Sequence, residues 1–132
     1  MTNVLYPSAK ESFITGAINL ASDTIRCVMV DLDTYTYDAA HEDYADLSGV
    51  VSTESGAFTS KTTTAGAFNA ADIVFSGPSG VSVEAIVIFK DTGAAANDLL
   101  IAYIDVASAG LPATPNGSDD ITIVWDTNIF AL

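Results

Sequence analysis

The residue types that most often carry catalysis or hold zinc are scarce in this sequence. His41 is its one histidine and Cys27 its one cysteine. A structural zinc site takes about four Cys, His or carboxylate ligands, and no Ser-His-Asp arrangement around His41 can be read from the sequence. Glu42 and Asp43 follow His41 directly and indicate a solvated acidic stretch. We therefore predict that the chain is not an enzyme and has no catalytic residue, metal site or cofactor.

The carboxylates are numerous and crowd together in three short stretches. None of these stretches follows the spacing of an EF-hand loop. Paired carboxylates of the kind that glycosidases use arise by chance in a chain with 17 Asp and Glu residues. Asp is favoured in turns because its side chain hydrogen-bonds to nearby backbone. We interpret the three stretches as acidic turns: Asp31 and Asp33; Glu42, Asp43 and Asp46; Asp119 and Asp120.

Three tyrosines, Tyr35, Tyr37 and Tyr44, lie close together where the sequence predicts loop and short helix. Tyrosine is enriched at binding surfaces because it buries a large area at low entropic cost and keeps a polar tip. The three residues are therefore candidate contacts with a partner. The alternative is that they cover one end of the domain's own core, and the sequence favours neither.

The N-terminal segment, residues 1–16, carries four further candidates for partner contact. They are the apolar side chains Val4, Leu5, Tyr6 and Phe13. Exposed apolar stretches usually mark interaction sites, so the segment is predicted to be a contact arm. The alternative is that it packs on its own domain, and this too stays open.

Short β-branched and aromatic runs, punctuated by Gly, Pro, Asn and Asp, predict an all-β domain. We expect one antiparallel β-sandwich or barrel, jelly-roll-like, spanning residues 1–132. One or two short surface helices are predicted, the first with a capping box from Ser8 to Glu11 and an end at Gly16, the second over 38–47. The predicted strands are 24–30, 50–53, 59–64, 71–75, 82–89, 99–105, 121–125 and 129–132.

The runs 82–89 and 99–105 are the strongest strand candidates, and the Gly- and Asp-containing stretch between them predicts a hairpin. Residues 86–89, IVIF, are apolar on both faces, which indicates a central strand or one covered twice. Alternation does not place all of the candidate core residues on one face. These candidates are Ile86, Ile88, Ile101, Tyr103, Ile123 and Trp125.

Composition favours a compact folded protein with few basic residues. The chain has 132 residues, of which 49% are hydrophobic and 16% charged, so burial can offset the entropy of ordering. Its net charge of -13 repels phosphate and anionic lipid, and we predict neither nucleic-acid nor membrane partners. The acidity either keeps an apolar protein soluble or presents an acidic face to a basic partner. No secretory signal is expected at the N-terminus.

Seven segments resemble a family of small virion structural proteins of tailed bacteriophages, which includes head decoration, or cement, proteins. The segments cover nearly the whole chain. They are SAKESFITGAI (8–18), DTIRCVMVD (23–31), YTYDAAH (35–41), EAIVIFKDTG (84–93), LIAYID (100–105), LPATPNGSDDI (111–121) and WDTNIFAL (125–132).

The resemblance implies a non-enzymatic protein that binds the outer face of an assembled phage head and stabilises it. Its implied partners are the major capsid protein and further copies of itself, with a trimer favoured. The protein would be made in the cytoplasm of the host bacterium and reside on the capsid surface. Two alternatives stay open. One is a neck or tail component, including a receptor-binding tip; the other is a carbohydrate-binding module or a hydrolase on a β-sandwich.

Overall fold

The computed structural model describes residues 3–51, 54–105, 107, 110–125 and 127–132. These residues form one five-stranded antiparallel sheet, two sheets of two strands each and one α-helix. Single 3-10 turns lie at Tyr44–Asp46, Thr64–Gly66 and Ala95–Asn97. The other elements are β1 (Val4–Leu5), α1 (Pro7–Thr15), β2 (Ile25–Val30), β3 (Val50–Val51), β4 (Ala67–Phe68), β5 (Ile73–Phe75), β6 (Ala85–Lys90), β7 (Leu100–Ile104), β8 (Ile121–Ile123) and β9 (Phe130–Ala131).

The five-stranded sheet has the strand order β1-β7-β6-β2-β3, and the small sheets pair β4 with β9 and β5 with β8. The predicted hairpin is confirmed, since β6 and β7 are antiparallel neighbours whose loop carries the turn Ala95–Asn97. β1 and β3 are the two edges of an open sheet. In the part of the chain that the structure describes there is no closed barrel, so the barrel alternative is wrong.

β6 lies at the centre of the sheet, as its two-sided apolar sequence predicts. Ile86 and Ile88 belong to the hydrophobic cluster on one face of the sheet. Ala85, Val87 and Phe89 belong to the cluster on the other face, and all five residues have no exposed surface. The sheet is therefore covered on both sides.

A β-bulge in β7 changes which side chains share a face. Ile88 pairs with Ala102 and Phe89 pairs with Leu100, so Ile101 is the extra residue in β7. Ile101 and Ala102 consequently lie on the same face, although they are adjacent. Tyr103, two residues after Ile101, lies on the opposite face. The bulge is the reason why simple alternation does not place the candidate core residues on one side.

Different parts of the chain cover the two faces. The first face packs against side chains of both small sheets and the segments beside them. The second face packs against Ala9 of α1, Tyr6 and Tyr35. The six predicted core residues are all buried and are divided between the two clusters: Ile86, Ile88, Ile101, Ile123 and Trp125 on the first face, and Tyr103 on the second.

The first predicted helix is confirmed, but it begins differently. Tyr6 is its N-cap residue and makes no side-chain cap, and Pro7 occupies the first turn. Proline suits this position because its missing N–H would have no helical partner there. The predicted capping box at Ser8 and Glu11 is therefore wrong. Gly16 ends the helix at φ 80°, in the left-handed region that favours glycine, as predicted.

The second predicted helix, over 38–47, is wrong except for the turn Tyr44–Asp46. Two aspartates account for this, because each accepts a hydrogen bond from a backbone N–H two residues further on. Asp38 binds the N–H of Ala40 at 2.8 Å, and Asp43 binds that of Ala45 at 3.1 Å. Such local bonds offer the backbone an alternative to a continuous helix.

Most of the predicted strands are confirmed with shorter bounds, with the exception of 59–64. In that segment only Thr62 forms a bridge, to Asn69. The prediction over 50–53 is reduced to Val50–Val51, and residues 52 and 53 lie outside the described part of the chain. β1 and β4 were not predicted; each has two residues, too few for a periodic pattern.

Candidate interaction surface

An apolar groove of about 590 Å³ lies between the edge strand β1 and the C-terminal strand β9. Val4 and Leu5 form one wall, and Ala102 and Ile104 of β7 also line the groove. The opposite wall is the segment 129–132. Two of the predicted contact residues, Val4 and Leu5, therefore lie at this groove, and both are half-buried.

A second groove, of about 440 Å³, adjoins the first. Phe13 of α1 lines it, and the Phe13 ring stacks on Phe130 with centroids 6.3 Å apart. Phe130 and Leu132 line both grooves, so we treat the two as one surface, the terminal grooves. Leu132, which belongs to this surface, is 70% exposed, and Ile14, the residue after Phe13 in α1, is 86% exposed.

Lys10 is the one cation at the terminal grooves, and it forms no ion pair within the described residues. The other three basic residues have partners within the chain. Arg26 pairs with Asp91 at 2.7 Å, and Lys90 pairs with Asp23 at 3.3 Å. Lys61 donates to a backbone carbonyl. Because so few cations are present, most carboxylates lack a counter-charge and the protein surface is negative.

Three of the predicted contact residues, Tyr6, Tyr35 and Tyr37, meet on the second face of the sheet with Tyr103. The ring of Tyr37 lies 5.1 Å from that of Tyr6 and 5.5 Å from that of Tyr103, centroid to centroid. Tyr6 and Tyr35 are buried, so within one chain neither presents a surface to a partner. Tyr44 lies apart from this cluster, with its ring edge against Phe89 at 5.0 Å.

A hydrogen-bonded relay runs through the cluster. The hydroxyl oxygens of Tyr6 and Tyr35 are 2.8 Å apart, and Tyr35 Oη lies 2.9 Å from Nδ1 of His41. Tyr6 has no exposed surface, and its hydroxyl has no other partner among the described residues. A buried hydroxyl left without an acceptor is costly, so we infer that Tyr6 donates to Tyr35 and that Tyr35 in turn donates to Nδ1 of His41.

The relay corrects the interpretation of His41 as part of a solvated stretch. His41 is half-buried, and its ring lies 5.5 Å from that of Tyr35. Burial, above all, raises the pKa of Tyr6 well beyond its usual range and also raises the pKa of Tyr35. Both hydroxyls therefore stay protonated at physiological pH. The arrangement fixes the N-terminal segment to the loop after β2.

A small pocket of about 230 Å³ opens beside the relay. It is lined by Tyr35, Tyr37 and Tyr103, together with Leu32 and Thr36. From the sequence, Tyr103 was predicted only as a core residue. Its place at this pocket depends on the β-bulge in β7, which the sequence does not predict. Phe130 and Leu132 were likewise absent from the predicted contact residues, although their apolar types at the chain terminus were visible.

For residues 1–16 the sequence left two alternatives, an arm that contacts a partner and a segment that packs on its own domain. β1 is hydrogen-bonded to β7, with Val4 opposite Tyr103 and Leu5 opposite Ala102. Tyr6 N–H donates to the carbonyl of Ile101 at 3.0 Å. The described residues of this segment thus pack on the sheet, and contact with a partner through the side chains that remain exposed stays a prediction.

The acidic stretches form no metal centre in the part of the chain that the structure describes. Their carboxylates accept hydrogen bonds from backbone N–H groups instead. Asp31 binds the N–H of Asp33 at 2.9 Å, and Asp46 binds those of Glu42 and Asp43. These bonds lower the pKa of Asp46. Among the described residues, no helix has the length and apolar character to cross a membrane.

Comparison with protein-family models, with curated proteins and with solved structures finds no match for this chain. Its function is therefore inferred from its own residues, their geometry and the motifs in its sequence.

Proposed function

We propose that the chain is a non-enzymatic structural protein of a tailed-bacteriophage particle. More specifically, we propose that it is a head decoration protein, which binds the outer face of the assembled capsid and stabilises it. The seven sequence segments that resemble this class of protein support the proposal, and they extend from residue 8 to residue 132. The resemblance carries over no catalytic residue.

The observation that carries the proposal is the exposed apolar surface at the terminal grooves. Ile14 and Leu132 are the two most exposed large apolar side chains among the described residues. Leu132 lines both apolar grooves, and Ile14 follows Phe13, which lines the second, on a chain whose net charge is -13. Apolar surface that is kept open on an otherwise acidic protein is typical of a site for a protein partner. We propose that this surface contacts the major capsid protein.

The layered core supports a role as a rigid clamp. The central sheet is packed on both faces, and the two small sheets cover the first face. We propose that the small sheets and the central sheet form the two layers of a jelly-roll-like sandwich. A dense, two-sided core resists deformation, as a protein that reinforces a shell requires.

We propose further that the protein acts as a homo-oligomer, with a trimer favoured. Decoration sites occur where several capsid subunits meet, and an oligomer gains avidity by binding several of them at once. High negative charge keeps such a protein soluble at the copy number that a shell needs. It would be synthesised in the host cytoplasm and end on the capsid surface.

The experiment that tests the contact surface uses two matched pairs of substitutions. Ile14→Ser with Leu132→Ser removes the exposed apolar side chain that lines both terminal grooves, Leu132, and the exposed side chain that follows Phe13 in α1, Ile14. The control pair, Val74→Ser with Val81→Ser, removes exposed apolar side chains of other segments. Undecorated phage heads are titrated with each purified protein, and bound protein is measured after sedimentation.

We expect the first pair to weaken binding by at least about tenfold, because burying one aliphatic side chain contributes about 1.5 kcal/mol or more. The control pair should bind within about twofold of the unchanged chain, a free-energy difference of well under 1 kcal/mol. Equal losses in the two pairs would place the contact elsewhere. Absence of binding by the unchanged chain would refute the decoration role.

Copy number distinguishes a decoration protein from a neck or tail component, including a receptor-binding tip. A decoration protein is present in amounts comparable to the major capsid protein, whereas a tail-tip protein is present in a handful of copies. Quantitative gel analysis of purified particles distinguishes the two.

A further inference from the structure

Asn116 and Gly117 form the one Asn-Gly sequence in the chain, and both residues are exposed. The backbone nitrogen that follows an asparagine can attack the carbonyl carbon of the asparagine side chain. Glycine leaves this approach open because it has no Cβ atom. Each of the other five asparagines is followed by a residue that carries a Cβ atom: Val4, Leu20, Ala70, Asp98 and Ile129. Asn116 is therefore the asparagine most open to this attack.

The reaction needs water as its only co-reactant. The Gly117 nitrogen forms a bond to Cγ of Asn116, the bond from Cγ to Nδ2 breaks, and ammonia leaves with the proton of the Gly117 N–H. The product is a cyclic imide, a succinimide. Water then opens the ring at either of its carbonyl carbons and gives an aspartate or an isoaspartate.

Hydrogen bonds in the folded chain restrain both reacting groups. Gly117 N–H donates to the carbonyl of Pro78 at 2.7 Å. Oδ1 of Asn116 accepts the N–H groups of Ser118 at 2.9 Å and Asp119 at 2.8 Å. Nδ2 of Asn116 donates to the Asp119 carboxylate at 2.9 Å. Three hydrogen bonds thus fix the side-chain amide, and a fourth engages the nitrogen that would attack it.

The loops 76–80 and 116–120 lie together at one end of the β5–β8 sheet. The first loop follows β5 and the second precedes β8, with Phe75 opposite Ile121. Besides the bond from Gly117 to Pro78, a second bond joins the loops, from Gly77 N–H to the Asp120 carboxylate at 2.9 Å. Opening of this contact frees the Gly117 nitrogen.

We propose that Asn116 is a site of spontaneous deamidation, and that opening of the contact between loops 76–80 and 116–120 controls its rate. The Gly117 nitrogen must lose its proton to attack. The bond to the Pro78 carbonyl favours the form of this nitrogen that keeps the proton. The site is a property of the chain alone, so the inference does not depend on the proposed function.

Deamidation changes the charge and the bonding of loop 116–120. Either product adds one negative charge beside Asp119 and Asp120, in a chain whose net charge is already -13. The Nδ2 donor is lost, and with it the bond to the Asp119 carboxylate. Anion-exchange chromatography therefore separates the modified protein from the unmodified one.

The first test follows deamidation of the full chain at mildly alkaline pH, in buffer and in concentrated guanidinium chloride. Peptide mapping by mass spectrometry locates the modified residue. We expect Asn116 to be modified before any other asparagine. Its modification should be at least about tenfold slower in the folded chain than in the unfolded chain, which corresponds to about 1.4 kcal/mol.

Two outcomes of this test overturn the proposal. Equal rates in buffer and in denaturant would show that the hydrogen bonds of the two loops do not protect Asn116. Faster modification of any other asparagine in the unfolded chain would show that the glycine at 117 does not select the site.

The second test loosens the contact between the loops without changing Asn116 or Gly117. Asp120→Ala removes the acceptor of the Gly77 N–H. The control, Asp72→Ala, removes the same charge from an exposed residue before β5. For each variant the rate in buffer is divided by the rate in denaturant, which cancels the effect of the lost charge on the reaction itself. Circular dichroism in buffer confirms that each variant is folded.

We expect Asp120→Ala to raise this ratio about fivefold, the effect of losing one hydrogen bond that holds the loops together. Asp72→Ala should change the ratio by less than about twofold. An equal change in the two variants, or no change in either, would show that opening of the loops does not control the rate and would overturn the proposal.

Discussion

The direction of the relay Tyr6–Tyr35–His41 makes a quantitative prediction about stability. If Tyr6 donates to Tyr35 and Tyr35 donates to His41, the two hydroxyl groups are not equivalent. Tyr6→Phe removes one donor and leaves the bond from Tyr35 to His41 intact. Tyr35→Phe removes the acceptor of Tyr6 as well, and this leaves a buried O–H group without a partner.

The expected losses of unfolding free energy follow from these two situations. Tyr6→Phe should cost about 1 kcal/mol, the net value of one buried neutral hydrogen bond. Tyr35→Phe should cost about 2–3 kcal/mol, because a buried donor is stranded in addition to the bonds that are lost. The double variant should be no less stable than Tyr35→Phe alone, since removing the Tyr6 hydroxyl also removes the stranded donor.

Urea unfolding at neutral pH, followed by circular dichroism, measures the three variants. We expect the midpoints to move while the dependence on urea stays constant, which indicates a change in stability alone. Tyr44→Phe is the control, because its hydroxyl makes no hydrogen bond within the described residues. It should change stability by less than about 0.5 kcal/mol.

One result would refute the reasoning about direction. If Tyr6→Phe costs as much as Tyr35→Phe, or more, then Tyr6 accepts the bond and its own proton goes elsewhere. Strict additivity in the double variant would show that the two hydroxyls do not act as one chain.

Three further predictions follow from buried and charged groups. Trp125 is buried, packs on Phe58 and donates to a backbone carbonyl, so Trp125→Ala should lower the unfolding free energy by about 3–5 kcal/mol; a loss below about 1 kcal/mol in urea titration would contradict this packing. Burial raises the pKa of Cys27 to about 12, so iodoacetamide at about pH 8 should label the thiol only after unfolding in concentrated guanidinium chloride; rapid labelling of the native protein would show that the first face is open. The backbone N–H of Gly93 and the guanidinium of Arg26 lower the pKa of Asp91 in the folded protein. The stability that the Asp91 charge contributes is therefore present above about pH 4, and it is lost as the pH falls toward the pKa of Asp91 in the folded protein. Asp91→Asn should therefore be less stable than the unchanged chain at neutral pH, with a difference that shrinks below about pH 4; a constant difference across this range would contradict the argument.

Much of the central sheet could be predicted from the sequence. The strands β2, β6 and β7 have apolar patterns of sufficient length, and the hairpin between β6 and β7 has a recognisable turn composition. The end of α1 at Gly16 was also readable, because a left-handed residue there favours glycine. The prediction of a helix over 38–47 was wrong because the side chains of Asp38 and Asp43 accept hydrogen bonds from nearby backbone N–H groups. An apolar pattern does not reveal this competition with helix formation.

The tertiary structure leaves some of the candidate contact residues at the surface and buries others. Val4, Leu5 and Phe13 line grooves, whereas Tyr6 and Tyr35 are buried in the relay. Residue type alone could not separate these outcomes, because a tyrosine serves equally well in a core and at an interface.

By itself the sequence determined the β-rich character, the two-sided burial of β6 and the strongly negative charge, since each follows from local pattern or composition. The face to which Tyr103 points and the placement of β1 and β9 on either side of a groove were decided only in the folded chain. Alternation along one strand is a local property. The position of the extra residue Ile101 depends instead on how β7 pairs with β6, and that pairing joins residues distant in sequence.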